Sequence, residues 1–184
     1  MAKVRDAFCS FCGTAHVGRG YPRTCPNPAC GTTIWANPIP VVVALVPVTH
    51  EGRRGLLVVR RGIDPMRGRL ALAGGFLEDH ETWQEGAARE VCEETGVIIE
   101  PSTLEAFHYV STEPNPNRVL LFSIAAPVTG PLPPHVPNAE TAERGVIFGS
   151  DGLEREFGFP LHLEMARRYL AREGLTGPHD YRTV

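Results

Sequence analysis

The spacing of apolar residues changes several times along the chain, and each change marks an element. VVVALVPV at 41–48 is a β-branched apolar run that reads as a strand. The turn residues HEGRRG follow it, and LLVVR at 56–60 reads as its hairpin partner. LALAGG at 70–75 predicts a short strand running into a glycine turn. From about Thr82 to Thr95 the period becomes helical, with Ala87 and Val91 four apart on one face and Gly96 placed to end the helix. Residues 97–110 predict one or two strands. VLLFSIAAPV at 119–128 is apolar enough to be a central strand, GPLPPHVPN at 130–138 is a proline-dense loop, and RGVIFGS at 144–150 reads as the final short strand. FPLHLEMARRYLARE at 159–173 is an amphipathic helix, with Leu161, Met165 and Tyr169 at intervals of four. Strands, an internal helix, more strands and a C-terminal helix predict the α/β class, with a mixed sheet covered by helices on both faces. No internal repeat interrupts this order.

The first 36 residues do not share this patterning. They are rich in Cys, Gly and Pro and cannot build a core from apolar side chains. The expected division is therefore a small module at 1–36, a connector in GTTIWANP at 31–38, and a main domain at 37–184. Trp35 in the connector reads either as core or as a contact in a possible homodimer. Of five cysteines, Cys9, Cys12, Cys25 and Cys30 crowd this module, spaced C-x2-C and C-x4-C with twelve residues between the pairs. Each pair can form a knuckle that presents two thiolates. Four thiolates satisfy tetrahedral Zn²⁺ in a closed, structural site, and such a module is folded by its metal. His16 is a spare ligand that a filled shell does not need. Cys92, alone in the helix, reads as a small packed side chain.

Composition removes several function classes. The chain has 184 residues, 42% of them hydrophobic, and a net charge of −3. That size fits one ordinary domain with an appendage, and that charge gives no bulk attraction to nucleic acid or an anionic membrane. The longest apolar stretch, at 39–48, is far short of the ~20 residues of a membrane-spanning helix. The N-terminus shows no secretory pattern, so a cytoplasmic location is expected. Lys3, Arg5, Arg19 and Arg23 make the first module mildly basic, which leaves RNA as a weak alternative partner.

The chemistry is concentrated in REVCEETG at 89–96. At about 100° per residue, Glu90, Glu93 and Glu94 fall within one arc of the helix. A solvated acidic face is one reading, with Glu85 and Arg89 as an i,i+4 pair. From Ala71 to Val97, however, Arg89 is the only Lys or Arg. Unbalanced carboxylates of this kind also suit Mg²⁺ or Mn²⁺, hard cations that take oxygen ligands and bridge to substrate phosphates.

The residues from Gly75 to Val97 follow the spacing G-x5-E-x7-R-E-U-x-E-E-x-G-U, where U is apolar, at every fixed position over 23 residues. This pattern resembles the Nudix box, and LAGG at 72–75 resembles the entry to it. The resemblance implies an α/β/α sandwich with a mixed sheet, preceded here by a four-cysteine zinc ribbon. It also implies a metal-dependent hydrolase acting on a nucleoside diphosphate linked to another group. By that resemblance, Glu90 and Glu94 are the main Mg²⁺ or Mn²⁺ ligands, and Glu93 binds a second ion or acts as base. The Gly74 carbonyl completes the shell, and Glu81 holds Arg89 to orient the cluster.

The layout of ribbon plus box is similar to bacterial NADH pyrophosphatases. In that comparison Phe76 matches an aromatic that stacks on a substrate ring, with a core Phe as the alternative. Glu140 matches a fourth acidic ligand, with Glu143 in reserve. Glu78, Glu113 and Asn115 are further candidates for substrate contact. Those enzymes carry S-Q-P-W-P-F-P-x-S after the box. Here the corresponding region ends in EPNPN at 113–117, with Asn115 and Asn117 in place of the Trp and Phe. Asn37-Pro38, the proline-rich loop and the closing helix are also similar to plant-type enzymes acting on FAD and ADP-ribose. The expected substrate is thus a nucleotide-type small molecule of the NADH, NAD, ADP-ribose or FAD class. A binding-only nucleotide sensor and a hydrolase of NAD-capped RNA are the alternatives.

Overall fold

The computed structural model describes residues 4–113 and 117–184. Its contacts divide into two compact units, Met1–Pro38 and Ile39–Val184. The first unit holds one small antiparallel ladder, β1 (Arg23–Thr24) with β2 (Thr33–Ile34). Its buried side chains are Cys9, Cys25 and Arg23, while Phe8, Phe11, Val17 and Trp35 are exposed. Exposure excludes the core reading of Trp35.

The second unit is built on two sheets. In chain order its strands are β3 (Ile39–Leu45), β4 (Pro47–His50), β5 (Arg53–Arg61), β6 (Leu70–Ala71), β7 (Ala73–Phe76), β8 (Glu105–Ser111), β9 (Arg118–Ile124), β10 (Thr141–Ile147) and β11 (Tyr181–Thr183). The helices are α1 (Trp83–Thr95) and α2 (Pro160–Arg172). One sheet runs β7-β3-β9-β8, and the other β11-β10-β5-β4 with β6 added to β5. The β3–β9 pair is parallel and the other pairs are antiparallel, so the first sheet is mixed.

VVVALVPV is not one strand. β3 stops at Leu45, and Pro47, which has no N–H to offer a ladder, opens β4. β3 pairs with β7 and β9, whereas β4 pairs with β5. The chain therefore changes sheets at Val46, and the predicted hairpin consists only of β4 and β5. The continuous apolar run arises because both faces are covered. Val42, Ala44 and Leu57 pack with Ala87 and Val91 of α1. Val43, Leu45, Leu56 and Val58 pack with Met165, Tyr169 and Leu170 of α2. Each Val, Leu or Met side chain among these contributes roughly 1.5–3 kcal/mol on burial.

Other expectations shift for local reasons. Gly74 and Gly75 lie within β7, paired with Val43 and Val42, rather than in a turn. Residues 97–100 form no strand, so 97–110 yields β8 alone, after a 3-10 turn at Pro101–Thr103. RGVIFGS lies in and after β10 but is not last, because β11 follows α2 and pairs with β10.

α1 is bounded as its sequence directs. The Thr82 side chain accepts from Glu85 N–H while Glu85 accepts from Thr82 N–H, a capping box. Gly96 ends the helix at φ 71°, and its N–H donates to Cys92 O. Glu85 is thus a cap, not the partner of Arg89. Cys92 is exposed rather than packed, because the buried face is formed by Ala87, Glu90, Val91 and Glu94.

Candidate functional site

Arg89 is the node of the α1 carboxylates. Its Nε and Nη2 donate to Glu81 at 3.0 and 2.7 Å. Its Nη1 donates to Glu90 at 2.8 Å and to Glu93 at 3.2 Å. Nη2 also donates to the Phe76 carbonyl at 3.0 Å. The Glu81–Arg89 pair implied by the resemblance is present, and the Glu81 side chain is the less exposed of the two. Arg89 holds the Glu81 carboxyl below the usual carboxylate range. Room for that pair comes from Gly86, where a Cβ would stand 2.7 Å from a Glu81 oxygen.

The three helix glutamates do not share one environment. Glu90 and Glu94 are buried and Glu93 is exposed. Glu90 lies against Gly75, where a Cβ would come within 2.3 Å of its carboxylate. Glu94 accepts the Gly74 N–H at 3.0 Å. Both carboxyls are pushed up by burial, which outweighs Arg89 at Glu90 and the Gly74 N–H at Glu94; Glu94 reaches about 8. The charges of Glu93 and Glu140 push Glu90 further up, and those of Glu90 and Glu140 do the same to Glu94. Glu140, exposed at the entry to β10, is therefore within electrostatic range of both. The reserve candidate Glu143 is engaged elsewhere, by Tyr181, by Thr183 at 2.9 Å and by Arg60 at 3.7 Å.

Among the candidates for substrate contact, Phe76 is 53% exposed, so it is not a core residue. The Arg118 guanidinium sits 5.6 Å from its ring centroid, a cation–π contact that no local pattern predicts. Glu78 and Glu113 are exposed, with Glu78 3.5 Å from His80. Asn115 lies outside the described residues.

In the first unit, the four cysteine Sγ atoms lie within 4.8 Å of one another. Cys9–Cys30 and Cys12–Cys25 are 3.8 and 3.5 Å apart. A tetrahedron with ~2.3 Å metal–sulfur bonds has edges of about 3.8 Å, so the set fits one metal ion. Hydrogen bonds from Thr14 and Thr32 pull the Cys12 and Cys30 thiols down, toward the thiolates such a site needs, while burial pushes Cys25 up. His16 is turned to the Asp6 carbonyl instead. Arg23 is buried on the Tyr21 ring, with hydrogen bonds to Gly20 and Asp6 carbonyls, and so is not available as an RNA grip.

The family model for the NUDIX domain matches residues 38–156. The chain belongs to the Nudix family. It is 29% identical over 171 residues to a Stutzerimonas stutzeri protein named NAD-capped RNA hydrolase NudC, covering 90% of this chain and 56% of that protein. It is 43% identical over 49 residues to an ADP-ribose pyrophosphatase of Methanocaldococcus jannaschii, covering 27% of this chain and 29% of that protein. A crystal structure of a NUDIX hydrolase from Nitrosomonas europaea superposes with a TM-score of 0.68 at 25% identity, covering 93% of this chain and 94% of that one. The chain thus spans about half the length of the NudC relatives it matches. No helix among the described residues is long and apolar enough to cross a membrane.

In this Nudix domain, the resemblance of Gly75–Val97 to the family's motif located Glu81, Arg89 and the helix glutamates. It did not locate Gly86, Arg118 or Asn138. The Asn138 amide donates to Glu93 O at 2.9 Å, and its oxygen accepts from the N–H groups of Glu140 and Thr141, both at 2.8 Å. An Asn two residues before an acid at a strand entry is the signal that could have found it.

Burial of Glu94 has a measurable pH consequence. The metal-free fold keeps the Glu94 proton to about pH 8, whereas an unfolded glutamate releases it near ~4.3. Between these values the folded state binds more protons than the unfolded state, so stability falls as pH rises through the interval. Melting temperatures of zinc-retaining protein, in buffer free of Mg²⁺ and Mn²⁺, are expected to decline toward about pH 8. Glu94→Gln should flatten that decline.

Proposed function

We propose that this Nudix chain is a metal-dependent pyrophosphohydrolase that cleaves the diphosphate of a nucleotide-linked small molecule, releasing a nucleoside monophosphate and a phosphorylated second half. The observation that carries this reading is the charge deficit around α1. Glu90 and Glu94 are buried beside a glycine backbone, and Arg89 is already shared among Glu81, Glu90 and Glu93. Oxygen donors short of positive charge, with Gly75 leaving a recess where a Cβ would strike Glu90, fit a hard divalent cation.

In this reading Glu90 and Glu94 hold Mg²⁺ or Mn²⁺, with the Gly74 carbonyl and Glu140 as further ligands. Bound there, the ion supplies Lewis acidity, a lowered pKa for a coordinated water, and neutralisation of phosphoryl oxygens. Glu93, the exposed carboxylate of the set, takes the proton of the attacking water or serves a second ion. The water oxygen forms the new bond to phosphorus, and the bridging P–O bond breaks. Arg89 and Glu81 position the set without touching the reacting atoms. The Phe76 ring offers a stacking face to a base, with Arg118 at its side, and Glu78, Glu113 and Asn115 are the further candidates for substrate contact. Zn²⁺ in the four-cysteine set of the first unit is structural.

The names of the relatives, an ADP-ribose pyrophosphatase and an NAD-capped RNA hydrolase, support a substrate with an ADP-ribose or NAD moiety. Asn115 and Asn117, in place of two rings, move preference away from reduced nicotinamide. A second reading, NAD-capped RNA, is favoured by the name of the relative matching 90% of the chain. The full set of acidic positions in the box weighs against a binding-only role.

Glu94→Gln keeps an oxygen for the Gly74 N–H, so the fold should persist. Turnover of the best substrate from a screen of ADP-ribose, NAD, NADH and FAD should fall by on the order of 10²–10⁴. An undiminished rate with Mg²⁺ and with Mn²⁺ would remove the assignment. Elemental analysis is expected to find one zinc per chain, and stripping it should abolish the protease resistance of the first unit; resistance that survives would leave the metal without a structural role. Finally, kcat/KM for free NAD should equal or exceed that for NAD-capped RNA. A large advantage of the capped RNA that fades with added salt would establish the second reading instead.

A further inference from the structure

We infer that Asn138 is a positioning residue for the metal site: it ties the loop carrying Glu140 to the last turn of α1 and so sets where the fourth carboxylate stands. The inference rests on the reading of Glu140 as a ligand given above.

The last carbonyls of a helix lack partners within it, and α1 has no basic residue in its last turn. Two are served by side chains from the segment that leads into and forms β10. Thr95 O accepts from Arg144 Nη1 at 2.6 Å, and Glu93 O accepts from Asn138 Nδ2 at 2.9 Å. Arg144 sits in the regular part of β10, paired with Val59, and fixes the strand. Asn138 sits before the strand and fixes the loop.

The other end of the Asn138 amide completes the tie. Its Oδ1 accepts from Glu140 N and Thr141 N, and the main-chain N–H of Asn138 donates to Thr141 O at 3.0 Å. The orientation of the amide is set by its surroundings, since two N–H groups need the oxygen and one carbonyl needs the nitrogen. From the other side, Gly62 N–H donates to Glu140 O at 2.6 Å. A Cβ on Gly62 would stand 2.6 Å from Ala139 O, so glycine is needed for that approach. The main chain of Glu140 is thus clamped between the end of β5 and the end of α1. Among the described residues, no hydrogen bond or ion pair engages its carboxylate. With its main chain held and its carboxylate unengaged, Glu140 can turn toward a cation proposed to sit on Glu90 and Glu94.

The test measures Mn²⁺ affinity of the full chain by electron paramagnetic resonance, alongside the half-saturating Mn²⁺ concentration for turnover. Asn138→Ala, Asn138→Asp, Glu140→Gln and the double variant Asn138→Ala/Glu140→Gln are compared. Asn138→Ala should weaken Mn²⁺ binding by roughly three- to tenfold, at or below the usual effect of losing an outer-shell partner. KM for substrate at saturating metal should not move. Asn138→Asp keeps the acceptor but loses the donor to Glu93 O, and should weaken binding as well. The double variant should bind Mn²⁺ no more weakly than Glu140→Gln alone. Unchanged affinity in Asn138→Ala beside a weakened Glu140→Gln overturns the inference and leaves Glu140 as a ligand. Additive losses overturn it too, since Asn138 would then act on something other than Glu140. Unchanged affinity in Glu140→Gln removes Glu140 from the site and the inference with it.

Discussion

One guanidinium must serve three carboxylates and a main-chain carbonyl, and most of the geometry around α1 follows from that demand. Arg89 satisfies Glu81 with two hydrogen bonds and has enough left to touch Glu90, Glu93 and Phe76 O. The balance differs between the partners. At Glu81 the Arg89 bonds outweigh burial, and the carboxyl stays low. At Glu90 burial outweighs Arg89, and the carboxyl is pushed up. A single arginine therefore stabilises the Glu81 carboxylate and falls short at buried Glu90, while the positive charge that acts on buried Glu94 is that of Arg61, and it too is outweighed by burial. Taking a carboxylate out of water costs several kcal/mol unless a counter-charge compensates. The segment from Phe76 to Glu81 is drawn onto the helix by the same guanidinium, so the aromatic ring at position 76 and the acidic cluster are mechanically one object.

The glycines show how tightly this object is packed. At Gly75 and Gly86 the missing side chain is a matter of space, not of backbone angle. A Cβ would intrude on the Glu90 carboxylate at the first and on the Glu81 carboxylate at the second. Gly96 is different: it adopts φ 71° and ends the helix. Gly75 and Gly96 are fixed positions of the same motif for unrelated physical reasons, and Gly86 shares the role of Gly75 without belonging to the motif. The first unit is held by other means. It buries two of its four cysteines and an arginine but leaves Phe8, Phe11 and Trp35 exposed, so side-chain packing gives it little. Four sulfurs at tetrahedral spacing are the feature that compensates.

Much of this was legible from the sequence because it depends on spacing. The capped helix, its catalytic-type carboxylates, the Glu81–Arg89 pair and the central strand at 119–128 all follow from local period and motif. What was not legible depends on what crosses between elements. The split of 41–48 at Val46 requires knowing that β5 and β9 compete for the same run. Glu85 appears free to pair with Arg89 until Thr82 is seen to claim it, and Cys92 appears packed until Glu90 and Glu94 are seen to occupy the inner face. Arg23 counts as surface charge in composition, yet it lies on the Tyr21 ring. Arg118 reaches Phe76 from two strands away, across β3.

The division of labour between rigid and variable elements explains why the reaction class is easier to read than the substrate. Glu90, Glu93 and Glu94 stand on one helix whose both ends are capped and whose inner face is packed on a sheet. Their mutual placement is fixed by the helical period, which a linear motif can encode. The side chains proposed to meet the second half of a substrate stand instead at strand ends, Phe76 closing β7 and Arg118 opening β9. Loops are positioned by the scaffold but not dictated by it, so they can change without disturbing the helix. The replacement of two aromatic positions by Asn115 and Asn117 is a change of that kind. Under the proposed function, that change alters what can be stacked against a substrate and touches no carboxylate of the motif. It directs the search for specificity to the groups that meet the exposed Phe76 ring, of which Arg118 is one.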